Sequence, residues 1–167
     1  LISCLIKLPR EGEIVEYDVM TFPTFDWNDL FKSRTIEKSI QSLGDEGIRL
    51  IHDKEKLPTL VVHDATHIPQ VNLMRQEIRH VRRPAKPFDV NCHAYISFAK
   101  NSDVFGFHED VDDVYIWQCY GTTDWEVPKY NIKNTLLPGQ MIFIRAGVEH
   151  RAIVTGPRIS VSFSIGT

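Results

Sequence analysis

Cysteine is scarce in this chain. Its three thiols, Cys4, Cys92 and Cys119, stand far apart, and no C-x-x-C occurs. An odd, dispersed set supplies neither a disulfide framework nor a thiolate metal cage. It fits a reducing compartment, so a cytoplasmic location is expected. Long apolar runs are also missing: none approaches the roughly 20 residues that a membrane-spanning helix needs. The opening "LISCLIKL" has neither a basic leader nor a small-residue cleavage site, so it is not read as a signal peptide. The first residue is Leu1 and not Met, which carries the expectation that some N-terminal structure precedes it.

Excess positive charge is absent as well. Nineteen Lys and Arg stand against 22 Asp and Glu, for a net charge of -3. That balance offers no overall basic footprint, so nucleic acid is not expected as a partner. The stretch "RQEIRHVRRPAK" (75–86) is a local exception and reads as a solvated helix face and its exit. No nucleophile elbow, phosphate loop or dinucleotide fingerprint occurs, and no internal repeat. Those absences exclude several common enzyme classes without naming one.

What is present is a change of rhythm near residue 90. Before it the chain is mixed. "EIVEYDVMTF" (13–22) alternates like a strand. A helix is expected over 26–44, with a cap at Asp26 or Asn28 and a stop at Gly44. "LPTLVVHDA" (57–65) is a short β-rich run. The spacing of Val71, Met74, Ile78 and Val81 predicts a helix over 69–81, and two prolines in "RRPAKPF" end it. From residue 90 onward come eight short β-rich runs: 90–99, 104–110, 113–120, 124–127, 131–137, 140–146, 150–155 and 158–166. Tight joints such as "GT", "PG" and "GP" separate them. Eight short antiparallel strands make a sandwich, a jelly roll or a barrel, and periodicity alone does not choose. One domain over 1–167 is expected, with a mixed α/β flank (1–89) packed on a β core (90–167).

Two features of that core carry chemistry. In "FGFHEDVDD" (105–113), His108 and Asp110 stand two apart, which on a strand aims both side chains to one face. The pair reads either as a surface hydrogen bond or as two thirds of a metal site. In "PGQMIFIRAGVEH" (138–150) a second histidine, His150, follows a turn. Alone it would be structural. With His108 and Asp110 it completes two histidines and one carboxylate, a facial set that suits Fe(II) and leaves positions open. Asp112 and Asp113 read as turn or solvated residues, since the spacing of a calcium loop is missing. The last strand alternates: Arg158, Ser160, Ser162 and Ser164 share one face, and Ile159, Val161, Phe163 and Ile165 the other. The polar face either meets solvent or lines a wet cavity. By the same parity Asn91, His93, Tyr95 and Ser97 share a face of the strand over 90–99. His52, His63, His67 and His80 show no paired spacing and read as structural, and Trp117 and Trp125 as core or platform residues.

"GFHEDVDDVYIWQCYGTTDWEV" followed by "LLPGQMIFIRAGVEH" resembles the Jumonji C branch of the cupin superfamily, over about residues 90–167. The resemblance runs through H-x-D, then Gln118, Gly121 and Trp125 in a Q-x-x-G-x-x-x-W pattern, then the P-G stretch ending in the distal histidine. It implies a double-stranded β-helix and an oxygenase dependent on Fe(II), 2-oxoglutarate and O2. It implies that His108, Asp110 and His150 hold the iron and are the catalytic set. Two positions depart from the pattern. Thr123 stands where many members carry a base for the far carboxylate of 2-oxoglutarate, and Arg145 replaces a common proline. A threonine supplies a hydrogen bond but no charge. The wider group often uses an R-x-S pair on the last strand, met here by Arg158 and Ser160. A guanidinium forks onto a carboxylate, and a hydroxyl on the same face adds a third bond. Arg158, Ser160, Thr123 and Tyr95 are the expected cosubstrate contacts. The resemblance implies hydroxylation of a protein side chain or a small molecule, giving succinate and CO2. The alternative is a cupin-type protein that uses another divalent metal or is non-catalytic.

Overall fold

The computed structural model describes residues 6–17, 59–82, 90–100, 102 and 105–166. The helix expected over 26–44 lies outside the described residues. The elements are β1 (Ile14–Glu16), β2 (Thr59–His63), α1 (Pro69–Arg82), β3 (Val90–Ser97), β4 (Asp113–Tyr120) and β5 (Thr123–Val127). They continue with β6 (Ile132–Leu136), β7 (Gln140–Ile144), β8 (Arg151–Val154) and β9 (Arg158–Ile165).

A six-stranded sheet has the order β1-β7-β4-β9-β3-β2, and a three-stranded sheet the order β6-β5-β8. Every strand pair is antiparallel. His108 meets His150, the residue before β8, in a single antiparallel bridge. From β3 onward the chain therefore alternates between the sheets, apart from the β5–β6 hairpin. That alternation is a jelly roll wound as a double-stranded β-helix. The run expected as a strand over 104–110 is reduced to this one bridge. Its apolar members, Phe105 and Phe107, are 46% and 44% exposed, so they bury too little apolar surface to anchor a ladder.

Both faces of the large sheet are covered. Ile159, Val161, Phe163 and Ile165 of β9 join Val71, Met74 and Ile78 of α1 in one core. Val114 and Ile116 of β4, Trp125, Leu136, Ile142 and Ile144 form a second core between the sheets. The serine face of β9 looks into the same interior, with Ser160 at 0% and Ser162 at 5% exposure and only Ser164 half-buried. Pro69 opens α1, where its missing N–H is harmless.

The helix stripe ends one turn sooner than its spacing predicts, since Val81 is 38% exposed. The last turn is held by charge instead. Arg82 donates to Asp113 Oδ2 at 2.6 Å and lies 5.8 Å and 5.2 Å from the Tyr115 and Phe143 ring centroids. Arg75 Nε donates to Val90 O at 2.9 Å. Arg75 and Arg82 thus reach the sheet, while Gln76, His80 and Arg82 lie on an exposed face, as the composition of the stretch predicts. No helix among the described residues is long and apolar enough to cross a membrane.

The turn from β4 to β5 requires glycine. Gly121 has φ +62°, and a Cβ there would lie 2.0 Å from Pro157 O. Gly147 also has a left-handed φ of +70°, but a Cβ there meets nothing within 4 Å. Chemical denaturation is expected to separate the two. Gly121→Ala should cost about 3 kcal/mol or more through the added clash. Gly147→Ala should cost only the backbone strain, about 1 kcal/mol. Equal losses would contradict the clash.

Candidate metal centre

His108, Asp110 and His150 converge. One ligand atom from each lies within 4.8 Å of the others. His150 Nε2 is 3.5 Å from Asp110 Oδ2, and His108 Nε2 is 4.0 Å from Asp110 Oδ1. Backbone geometry creates the convergence. His108 and His150 exchange N–H···O bonds of 3.0 Å and 2.9 Å across their bridge. Gly147 N donates to Asp110 O at 2.9 Å, tying the second loop to the first. The imidazole centroids stand 4.4 Å apart.

The protonation pattern follows from the partners. His108 Nδ1 lies 2.9 Å from Gly106 O, and His150 Nδ1 lies 2.8 Å from Val148 O. A carbonyl oxygen only accepts, so each Nδ1 must carry the hydrogen. A neutral ring then presents an Nε2 lone pair toward the Asp110 carboxylate. Lone pairs facing a carboxylate need a proton or a cation between them. Donors each about 2.1 Å from a common ion lie roughly 3–4 Å apart, and these separations fit that spacing. Without a cation, a proton on Nε2 fills that gap: the His150 hydrogen bond then holds the Asp110 carboxyl below the usual carboxylate range, burial opposes this, and the charges of the protonated His150 and His108 add to it. The acid is therefore ionised near neutrality, as a cation ligand must be.

The three residues sit at one part of a cavity of about 250 Å³. Trp125 stacks on His150 with centroids 5.9 Å apart, and Phe105 lies 5.1 Å from His108. Arg158, Ser160, Ser162, Ser164 and Tyr95 also line the cavity. Burial pushes the Tyr95 phenol up, its bond with Ser162 opposes that, and it feels the charges of both Asp110 and Arg158. Tyr95 lines the same cavity as Asp110 and Arg158. Arg158 is 4% exposed. Its Nε donates to Ser97 Oγ at 3.2 Å and its NH1 to Ser160 Oγ at 2.9 Å.

Thr123 is not brought to the cavity wall. It is fully buried on β5, and its hydroxyl has no hydrogen-bond partner among the described residues. Asn91 is exposed, and neither it nor His93 lines the cavity. Asp113, read from the sequence as a turn or solvated residue, instead has a specific task. Its Oδ1 accepts Ala146 N–H at 3.0 Å while its Oδ2 takes Arg82, so it clamps the loop before His150. Nothing in the local pattern marks Asp113, because both of its partners are distant in sequence.

Comparison with solved structures decides the fold. The Escherichia coli ribosomal oxygenase YcfD, in complex with cobalt and 2-oxoglutarate, superposes with a TM-score of 0.57 at 21% identity. The match covers 65% of this chain and 32% of that one. The fold is the jelly roll of the YcfD structures. YcfD with cobalt and succinic acid gives 0.56 at 20% identity, over 70% of this chain and 34% of the other. A further Escherichia coli ycfD structure gives 0.55 at 19%, over 72% and 37%. The matched region thus spans about a third of the YcfD chains. No family model matches this chain, and no curated protein matches it.

Titration with Co(II) tests the centre. An ion at about 100 times its Kd should add about 2.7 kcal/mol of stability, a Tm rise of roughly 5–10 °C. His150→Ala should remove most of that rise. Acidification should shrink it, because protons compete for all three donors. A pH-independent rise that survives His150→Ala would place the ion elsewhere.

Proposed function

We propose that the chain is a non-haem Fe(II)- and 2-oxoglutarate-dependent oxygenase of the cytoplasm, hydroxylating a protein side chain or a small molecule with release of succinate and CO2. The observation that carries this reading is the triad itself, two Nε2 lone pairs and one carboxylate on one side of a cavity. Three donors on one side leave the cavity side of an ion open to other ligands. The buried Arg158 guanidinium on the same cavity supports a dicarboxylate as one of them.

Iron, 2-oxoglutarate and O2 together supply the oxidising power for a C–H bond. The chain's residues do the rest. His108 and His150 bind as neutral ligands, oriented by Gly106 O and Val148 O. Asp110 offsets part of the ion's charge. Arg158 would grip the distal carboxylate, and Tyr95 lines the cavity that holds both groups. Val114, Ile116 and Trp125 supply an apolar wall that limits water. A protein substrate is supported by the exposed Phe105, Phe107 and Val111 flanking His108 and Asp110, and by the fold shared with a ribosomal oxygenase.

The second reading is a metal-binding jelly roll that uses another divalent ion or is non-catalytic, and Thr123 favours it, since no charge stands at that position. Succinate formation with Fe(II), ascorbate, 2-oxoglutarate and O2, over a panel of peptides and small molecules, separates the two. Arg158→Ala should lower it about 100-fold while retaining the Co(II) thermal shift, and Arg158→Lys should recover part. No succinate from the wild-type chain with any substrate would favour the second reading.

A further inference from the structure

The hydrogen bonds around Arg158 have a determined direction. Gln118 Nε2 lies 2.9 Å from Tyr120 O and 3.0 Å from Gly121 O, both pure acceptors, so the amide nitrogen faces them and Oε1 faces away. Ser160 Oγ then donates its single hydrogen to Gln118 Oε1 at 2.7 Å. Toward Arg158 NH1 the same oxygen accepts, at 2.9 Å. The other side mirrors this. Thr59 Oγ1 donates to Ser102 O at 2.5 Å, so Ser97 Oγ donates to Thr59 Oγ1 at 2.7 Å and accepts from Arg158 Nε at 3.2 Å.

Sheet register builds this row. Thr59 is opposite Ser97, Ser97 opposite Arg158, and Ser160 opposite Gln118, across four neighbouring strands. All five residues are buried, at 5% exposure or less. A hydroxyl has one hydrogen, and Ser160 has committed its own to Gln118. It has none to offer a carboxylate in the cavity.

We infer that Gln118 and Ser160 are positioning residues for the cosubstrate's distal carboxylate, acting through Arg158 by fixing the plane of its guanidinium and not by touching the carboxylate. The inference rests on the proposed oxygenase reading and reassigns Ser160 within it. A guanidinium has five N–H donors in a rigid fork. Two of them, aimed at Ser97 and Ser160, orient the rest. Gln118 is the far end of that chain: its amide is oriented by the β4–β5 turn, which requires glycine at 121.

Calorimetric titration of the Co(II)-loaded protein tests this with two probes. 2-Oxoglutarate has both the keto-acid end and the distal carboxylate; 2-oxobutyrate has only the keto-acid end. Gln118→Met and Ser160→Ala should each weaken 2-oxoglutarate binding about tenfold, the loss of one charge-assisted bond. Neither should change 2-oxobutyrate binding, which a general structural defect would. The double variant should bind no more weakly than Ser160→Ala alone, as expected of groups acting in series. Weakening by Ser160→Ala with no effect of Gln118→Met would mean that Ser160 contacts the carboxylate directly and would overturn the inference. So would equal weakening of both probes. Failure of the oxygenase reading looks different: the wild-type protein would bind neither keto acid, or Arg158→Ala would leave 2-oxoglutarate binding intact.

Discussion

Two short hydrogen bonds, from His108 Nδ1 to Gly106 O and from His150 Nδ1 to Val148 O, govern the chemistry of this molecule. Each carbonyl takes the ring's only hydrogen and turns the lone pair of the other nitrogen inward. Asp110 then faces two electron pairs across 3.5 Å and 4.0 Å. Such a corner is electrostatically incomplete without a cation. The reciprocal backbone bridge between the two histidines fixes where the two rings attach, because neither segment can leave without breaking a pair of backbone bonds.

The rest of the architecture supports that corner. The large sheet is covered on its outer face by α1, which frees its inner face to be partly polar. β9 shows the division clearly, with four apolar residues in the outer core and Arg158 and three serines on the cavity. Burying an arginine this deeply is costly unless its donors are matched. The row from Thr59 to Gln118 matches two of them and fixes their direction. Asp113 performs the equivalent service for the ligand loops, joining α1 to the backbone before His150. The cavity lining thus holds both the His-Asp-His corner and a buried guanidinium, together with Tyr95.

Much of this was legible in the chain itself. The β-rich runs over 113–120, 140–146 and 158–166 marked strands that exist, because each buries one or both faces in a core. The segment over 104–110 reads as a strand because its H-x-D spacing mimics one, while its phenylalanines stay largely exposed and bury too little to anchor a ladder. Val81 was misjudged because helical spacing cannot reveal where the sheet beneath a helix ends. The jelly roll itself was readable only through the joint motif, since short strands of similar length suit several β architectures equally.

Residue types and their order determined which groups were available: two imidazoles and an acid with loop signals beside them, an arginine and serines in step on the last strand, and glycine at the β4–β5 turn. Tertiary structure alone decided their partners. Whether Ser160 donates to a ligand or to Gln118, whether Thr123 reaches the cavity, and whether Asp113 is a turn residue or a clamp all depend on strand register between segments far apart in sequence. Hydrogen bonds are directional and short, so a shift of one residue in that register would exchange every one of these partners. Local sequence carries no record of that choice.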